Sequence, residues 1–67
     1  MDLQLFDRVK NIAKQKNMTI AFILSQCGIK YNTWKGYKFQ GNLPRADEVY
    51  SIAKILGVTM EYLVAGE

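Results

Sequence analysis

The sequence predicts an all-α protein in which five short helices form one compact domain. Apolar residues recur at helical spacing in several segments, and no segment shows the alternation that is typical of a strand. Glycine, asparagine or proline separates these segments. A chain of 67 residues is long enough for a single domain, so residues 1–67 are assigned to one unit.

The first two predicted helices span residues 3–16 and 19–27. Asp2 can cap the first helix and Asn17 can end it, whereas Thr19 can cap the second. Gly28 follows the second helix at the position where a left-handed residue closes a helix. Nine residues form the predicted inner faces: Leu5, Phe6, Val9, Ile12 and Ala13 in the first helix, and Ile20, Ile23, Leu24 and Cys27 in the second.

Three further helices are predicted over residues 31–39, 45–56 and 59–64. In the third helix, Trp34 and Tyr37 are three residues apart on one face, which favours a position in the core for both. Pro44 precedes the fourth helix, and Thr59 can cap the fifth. The inner positions of the last two helices are Val49, Ile52, Ala53, Leu56 and Leu63.

Composition excludes several classes of protein. One cysteine, Cys27, and no histidine leave no internal disulfide and no zinc site, so we expect neither a metal nor a cofactor. The acidic residues near the N-terminus do not suit a signal peptide, and no apolar run approaches about 18 residues. A reduced, cytoplasmic protein without membrane contact is therefore expected, stabilised by its apolar core alone.

Charge is distributed unevenly along the chain. All eight charged residues between positions 8 and 45 are basic, and all six acidic residues lie outside that range. A positive field over half of the domain favours a polyanionic partner, although a solvated basic surface has the same composition. The eight residues are Arg8, Lys10, Lys14, Lys16, Lys30, Lys35, Lys38 and Arg45.

Predicted helices two and three have the spacing of a helix-turn-helix. The turn contains only Gly28 and Ile29, and the apolar Ile29 can pack beneath the crossing of the two helices. In this geometry the second helix of the pair enters the major groove of DNA. The spacing by itself is of moderate specificity, because many helical hairpins contain a glycine.

The stretch "TIAFILSQCGIKYNTWKGYKFQGNLP" resembles the phage-repressor (Cro/CI, XRE-like) helix-turn-helix family, and most closely its CI-type branch from phages and prophages. The matching positions in this stretch are Thr19, Gly28, Ile29, Thr33, Trp34, Tyr37, Lys38 and Pro44. The segment "IAKILGVTMEYLVAGE" resembles the end of the family's domain, at Ile52, Ala53, Leu56, Gly57, Val58, Leu63 and Gly66. The resemblance covers residues 5–66. It implies a five-helix lambda-repressor-like domain that binds double-stranded DNA as a transcriptional regulator, specifically a repressor.

Four positions depart from the family's pattern. Lys30 replaces a serine cap and cannot accept a hydrogen bond, so the third helix begins either at residue 31 or near Asn32, a good capping residue. Ile20 replaces a polar residue after Thr19, and Leu24 replaces a small alanine. Gly36 stands where a base-reading side chain is common and lowers helix propensity by about 1 kcal/mol relative to alanine.

The candidate DNA-binding residues are Thr19, Lys30, Tyr31, Asn32, Lys35, Gly36 and Lys38. Asn32 either pairs with adenine or caps the helix. Tyr31 either faces the groove or packs on its own helix. The lysines contact phosphate or guanine, or are solvated charges, and Gly36 permits close approach of a backbone.

A homodimer is expected, because a single module of this size buries little surface on DNA. Tyr50 and Tyr62 are either dimer surface or partly buried, and the rings of Phe22 and Phe39 fit no inner face. The end of the sequence, "AGE", predicts a longer parent protein with a C-terminal oligomerisation segment.

The alternative function is a helical protein–protein interaction module, of antitoxin or anti-repressor type, that binds an acidic partner. An enzyme is not expected, because the sequence has no histidine, no paired carboxylates on one face and no glycine-rich phosphate loop. No small-molecule ligand is inferred.

Overall fold

Five α-helices occupy residues 4–66, the part of the chain that the computed structural model describes. They are α1 (Gln4–Gln15), α2 (Ile20–Cys27), α3 (Tyr31–Gln40), α4 (Ala46–Leu56) and α5 (Met60–Ala65), and these residues contain no strand. The all-α fold with five helices is confirmed, and every helix ends within one residue of its predicted bounds. The proposed cap at Asp2 lies outside the described residues.

Two threonine caps fix the starts of α2 and α5, as predicted. The Thr19 Oγ1 accepts a hydrogen bond from the Phe22 N–H at 3.1 Å, and the Thr59 Oγ1 accepts one from the Tyr62 N–H at 3.0 Å. Each bond satisfies a backbone donor that the helix itself leaves unpaired, which is worth about 1 kcal/mol.

The turn between α2 and α3 is a Schellman motif. Gly28 has the predicted positive φ of 70°. Its N–H donates to the Ser25 carbonyl, and the Ile29 N–H donates to the Leu24 carbonyl at 2.9 Å. Ile29 is buried, as predicted, so the turn is held by both hydrogen bonding and apolar packing. Asn17, with a φ of 56°, ends α1 in the same left-handed conformation.

All five helices contribute to one apolar core. On α2, Ile23 and Leu24 are buried, while Ile20 and Cys27 are only partly buried against the core. That burial raises the pKa of the Cys27 thiol. α2 packs on α4, and α5 packs on both α1 and α4. The core cluster consists of Leu5, Phe6, Val9, Ile12, Ala13, Ile23, Leu24, Ile29, Trp34, Val49, Ile52, Ala53, Leu56 and Leu63.

The longest helix between residues 4 and 66 has 12 residues, short of the roughly 20 that a membrane span needs, and no span is found there.

Arg8 closes the C-terminal end of α5. Its Nη1 donates to the carbonyl oxygens of Leu63 at 2.8 Å and Val64 at 3.3 Å. These carbonyls belong to the last turn of a helix, where they lack partners within the helix and attract cations. A Cβ at Gly66 would lie 2.8 Å from the Arg8 Nη2, so the guanidinium also occupies the space beside that glycine. The charge of Arg8 therefore stabilises the C-terminal end of α5.

Glu48 links α3 to α4. Its Oε1 accepts hydrogen bonds from the Tyr37 hydroxyl at 2.9 Å and from the Arg45 backbone N–H at 3.0 Å. Arg45 is the N-cap of α4, so one carboxylate both satisfies the start of that helix and holds the ring of Tyr37. The hydrogen bond to Glu48 is the main cause of a raised pKa for the Tyr37 phenol.

Tyr37→Phe should reduce the loss of stability at alkaline pH. Because the pKa of Tyr37 is higher in the folded state, its contribution is complete below the unfolded value of about 10 and disappears as pH rises through the folded pKa. The variant should be slightly less stable than the wild type at pH 7, and the two should converge once the pH exceeds the raised folded pKa of Tyr37. Urea unfolding between pH 7 and pH 11.5 measures this difference. Tyr50→Phe is the matched control; an equal effect there would contradict the assignment.

Candidate nucleic-acid interface

The third helix is the least embedded of the longer helices. α3 buries one residue, Trp34, whereas α1 buries five. The Trp34 side chain is only 5% exposed, and its ring meets Phe6 edge to face at 4.9 Å between centroids. Tyr37 packs against the core at its ring and bonds Glu48 at its hydroxyl. The prediction that Trp34 and Tyr37 hold α3 on the domain is confirmed, with Tyr37 partly buried.

The opposite side of α3 faces outward. At about 100° per residue, Asn32 and Gly36 lie about 200° from Trp34 around the helix axis. Lys35 and Phe39 lie about 200° from Tyr37 by the same count. The side chains of Asn32, Lys35 and Phe39 are exposed. The helix therefore presents an amide, an ammonium and an aromatic ring away from the core.

The predicted start of α3 at residue 31 is confirmed, and the alternative start near Asn32 is wrong. The helix begins at Tyr31, with Lys30 as an N-cap whose side chain makes no capping bond. The Trp34 N–H donates to the Lys30 carbonyl at 3.1 Å, which starts the helical hydrogen bonding one turn before Trp34. The buried Ile29 and the burial of Trp34 decide where the helix begins. Asn32 is consequently the second residue of the helix, exposed, and does not occupy the N-cap.

Tyr31 combines features of both of its predicted roles. The Lys35 Nζ lies 5.7 Å from the centroid of the Tyr31 ring, so the ring packs against a cation one turn along its own helix. The side chain is still 52% exposed. The contact orients both side chains on the same flank of α3. A groove-facing role for Tyr31 stays a prediction.

The remaining candidate residues lie at the ends of α2 and α3. Thr19 is exposed, and because its oxygen accepts from Phe22, its hydroxyl proton can be donated outward. Lys38 is exposed in the last turn of α3. Lys30 is exposed at the turn that joins the two helices. Thr19, the N-cap of α2, is the one candidate residue that belongs neither to α3 nor to the turn before it.

Gly36 makes no close contact within the protein. A Cβ built at this position meets nothing within 4 Å, and the residue has ordinary helical geometry. The fold therefore does not require glycine here, and an alanine should be accommodated. Glycine at this position makes the helix about 1 kcal/mol less stable than alanine would, and it leaves the space next to the backbone empty.

The eight basic residues divide into two groups. Arg8 binds the end of α5, and Arg45 pairs with Asp47 at 3.2 Å. The other six, all lysines, are exposed, and within residues 4–66 none of them forms an ion pair. They are Lys10, Lys14, Lys16, Lys30, Lys35 and Lys38. The predicted positive field is therefore carried by lysines of α1, of α3 and of the segments beside them.

Four of the predicted site residues also line one groove beside α3. Its volume is about 750 Å³. These four, Tyr31, Lys35, Gly36 and Lys38, lie on α3, which also contributes Trp34 and Phe39. Sequence reasoning did not identify the other lining residues as part of a site: Phe6, Lys10, Ile20, Trp34 and Phe39.

The sequence indicated that Phe39 is exposed, because its ring fits no inner face of a helix. In the structure the Phe39 side chain is 92% exposed. Phe22 is also exposed, on α2. Lys10 was singled out only as one of the eight basic residues, and nothing in the sequence placed it beside α3, since it lies on a different helix and more than 20 residues before α3 in the chain.

The chain matches no protein-family model, and no curated protein or solved structure shows significant similarity to it. The resemblance to the phage-repressor family accordingly stays a prediction based on the residues of this sequence.

Proposed function

We propose that the protein is a sequence-specific double-stranded DNA-binding domain of a cytoplasmic transcriptional regulator, a repressor of the phage-repressor type. It acts by occupying its site, without catalysis and without a cofactor. The observation that supports this most directly is the two-sided α3. One side is anchored through Trp34 and Tyr37, and the other exposes Asn32 and Lys35.

The dimensions of α3 suit the major groove. Ten residues extend about 15 Å, and the groove is about 12 Å wide, which admits one helix. Asn32 is near the start of the helix, where a helix-turn-helix contacts base edges, and an asparagine can bond adenine N6 and N7. Lys35 is one turn further on the exposed side and can donate to guanine O6 or N7.

Phosphate contacts are assigned to the two ends of the helix pair. Lys38 lies in the last turn of α3, where a straight helix leaves the groove and meets the sugar–phosphate backbone. Thr19 starts α2, and its hydroxyl proton together with the dipole of that helix can hold a second phosphate. Lys30 is exposed in the turn that joins α2 to α3 and is a further candidate for a phosphate contact. Such contacts fix the position of the protein on DNA and carry no sequence preference.

A homodimer is part of the proposal. A single module of 67 residues can bury only a limited area on DNA, and two copies can bind two half-sites. Tyr50, Tyr62 and Val64 of α4 and α5 are exposed and apolar, which supports this part of the surface as the contact between copies.

Titration with random duplex at low and high salt tests the proposal most simply. We expect binding at low salt that weakens steeply as salt increases, followed by recovery of a preferred site when random DNA is selected with the protein. Sedimentation during the titration reports whether a dimer binds. If a folded protein, also tested at concentrations that give a dimer, binds no duplex at low salt, the alternative of an acidic protein partner takes precedence.

Lys38→Ala should make the salt dependence of DNA binding shallower by about one unit. Each phosphate contact adds about −0.9 to the slope of log affinity against log salt. Affinity for specific and random duplex should decrease by similar factors, because a phosphate contact does not discriminate between sequences.

Lys54→Ala is the matched control for Lys38→Ala. Lys54 is an exposed lysine on α4, outside the two helices of the pair, and its removal changes the net charge by the same amount. The slope should not change in this variant. Equal changes for the two variants would indicate a diffuse charge effect and would contradict docking through α3.

A further inference from the structure

The groove beside α3 is built differently from a surface that only contacts phosphate. Phe6, Trp34 and Ile20 form its deeper part, with Phe6 and Trp34 locked in an edge-to-face pair. Tyr31 and the almost fully exposed Phe39 add two aromatic rings nearer the solvent. Most of the groove surface is apolar, and covering such a surface so that it no longer contacts water is favourable.

The polar part of the groove carries one sign of charge. Lys10 comes from α1, and Lys35 and Lys38 come from α3, so ammonium groups of two different helices border the same space. No acidic residue is among the lining residues. Within residues 4–66 none of the three lysines is paired with a carboxylate. An occupant that matches this groove therefore combines apolar groups with negative charge.

Gly36 lines the edge of the groove. Any side chain at this position would start in space that the protein does not fill, since nothing lies within 4 Å of its Cβ position. A volume of about 750 Å³ can hold several large side chains, and its open shape suits a segment laid along it. An amphipathic helix that places its apolar face in a groove is a common mode of peptide recognition.

We propose that this groove binds an acidic amphipathic helix of a partner protein. An aromatic or aliphatic side chain of the partner inserts between Tyr31 and Phe39 above Trp34, and carboxylates of the partner meet Lys10, Lys35 and Lys38. The docking is independent of the proposed DNA binding. Because Lys35 and Lys38 are also assigned to DNA, a bound partner excludes DNA, and this second statement rests on the proposed function.

A designed peptide tests the docking without DNA. The probe is a fluorescein-labelled synthetic helix of about 15 residues, with leucine and tryptophan on one face and glutamate on the other. Its control has every glutamate replaced by lysine. Anisotropy titration of the full chain should show the acidic peptide binding at least about tenfold more tightly. Amide NMR shifts should centre on Ile20, Tyr31, Lys35 and Phe39, and α4 and α5 should be unaffected.

Two variants locate the site. Gly36→Leu should place a side chain at the edge of the groove while favouring helix formation, and should weaken the acidic peptide by about tenfold or more with the helical circular dichroism retained. Lys10→Glu should weaken it by about three- to tenfold, and Lys54→Glu, with the same change in net charge, should leave it within about twofold. Equal weakening by the two charge reversals, shifts centred on α4 and α5, or no binding of the acidic peptide would overturn the proposal.

Competition separates the docking from the exclusion of DNA. Unlabelled acidic peptide should displace duplex from the wild type, and the Lys10→Glu variant should bind duplex but require more peptide for displacement. If the peptide binds in the groove while duplex stays bound, docking holds and the exclusion fails. If the protein binds peptide but no duplex at all, the proposed function fails and the docking stands.

Discussion

Trp34→Ala should unfold most of the protein under conditions where the wild type is native. Replacing a buried tryptophan with alanine costs about 3–5 kcal/mol, from lost burial and from the cavity left behind. The edge-to-face contact with Phe6 adds about 0.5–1.5 kcal/mol that alanine cannot replace. A 67-residue domain without a disulfide has a total stability of only about 3–5 kcal/mol, so the loss is comparable to the whole.

Far-UV circular dichroism and urea unfolding at 25 °C measure this effect. Phe39→Ala is the matched control, since it removes an aromatic residue from the same helix that is 92% exposed. Its stability should stay within about 0.5 kcal/mol of the wild type. A Trp34→Ala variant that stays folded and loses only DNA binding would reverse the assignment of the two faces of α3. Trp34→Phe should lie between the wild type and the alanine variant.

Asn32→Ala should weaken binding to the selected DNA site by about 1–3 kcal/mol and relax the base preference at one position. The side chain is exposed at the second position of α3, and the N-cap is Lys30. The substitution should therefore leave the midpoint of thermal unfolding almost unchanged. Random duplex should bind nearly as well as before, because an amide makes no charge contribution to phosphate binding.

Asn11→Ala is the matched control for Asn32→Ala, since Asn11 is an exposed asparagine on α1. It should alter neither the affinity nor the preference. Selection on random DNA with each variant, together with thermal unfolding, distinguishes the outcomes. A lower unfolding temperature with an unchanged order of base preference would restore the capping role for Asn32 and remove it from the base-reading residues.

Local patterns were sufficient to predict the helices. Thr19 and Thr59 cap the helices that follow them because a hydroxyl oxygen reaches a backbone N–H only three residues away. Gly28 adopts a positive φ because the chain must reverse directly after α2, and glycine has no Cβ penalty there. The burial of Trp34 follows from the apolar face that it shares with Tyr37. Each of these inferences depends on residues within about one turn of each other.

The start of α3 shows where local patterns fail. A side-chain cap favours Asn32 as the first residue outside the helix, and this preference is worth about 1 kcal/mol. The helix instead begins at Tyr31 after Lys30, without a side-chain cap. Burial of Ile29 and Trp34, at about 1.5–3 kcal/mol or more for each side chain, exceeds the value of a cap and determines the register.

The sequence alone determined five helices, their approximate bounds, one apolar face on each and a basic region, since helical periodicity and capping act over three or four residues. Only the tertiary structure decided which charged side chains form contacts within the protein and which are exposed without an ion pair. Arg8 is bound to Leu63, 55 residues away, and Glu48 joins α3 to α4. The groove that brings Lys10 next to Lys35 likewise exists only when α1 and α3 meet. Such contacts depend on packing between helices that are distant in the chain. The spacing of residues within one helix therefore cannot predict them.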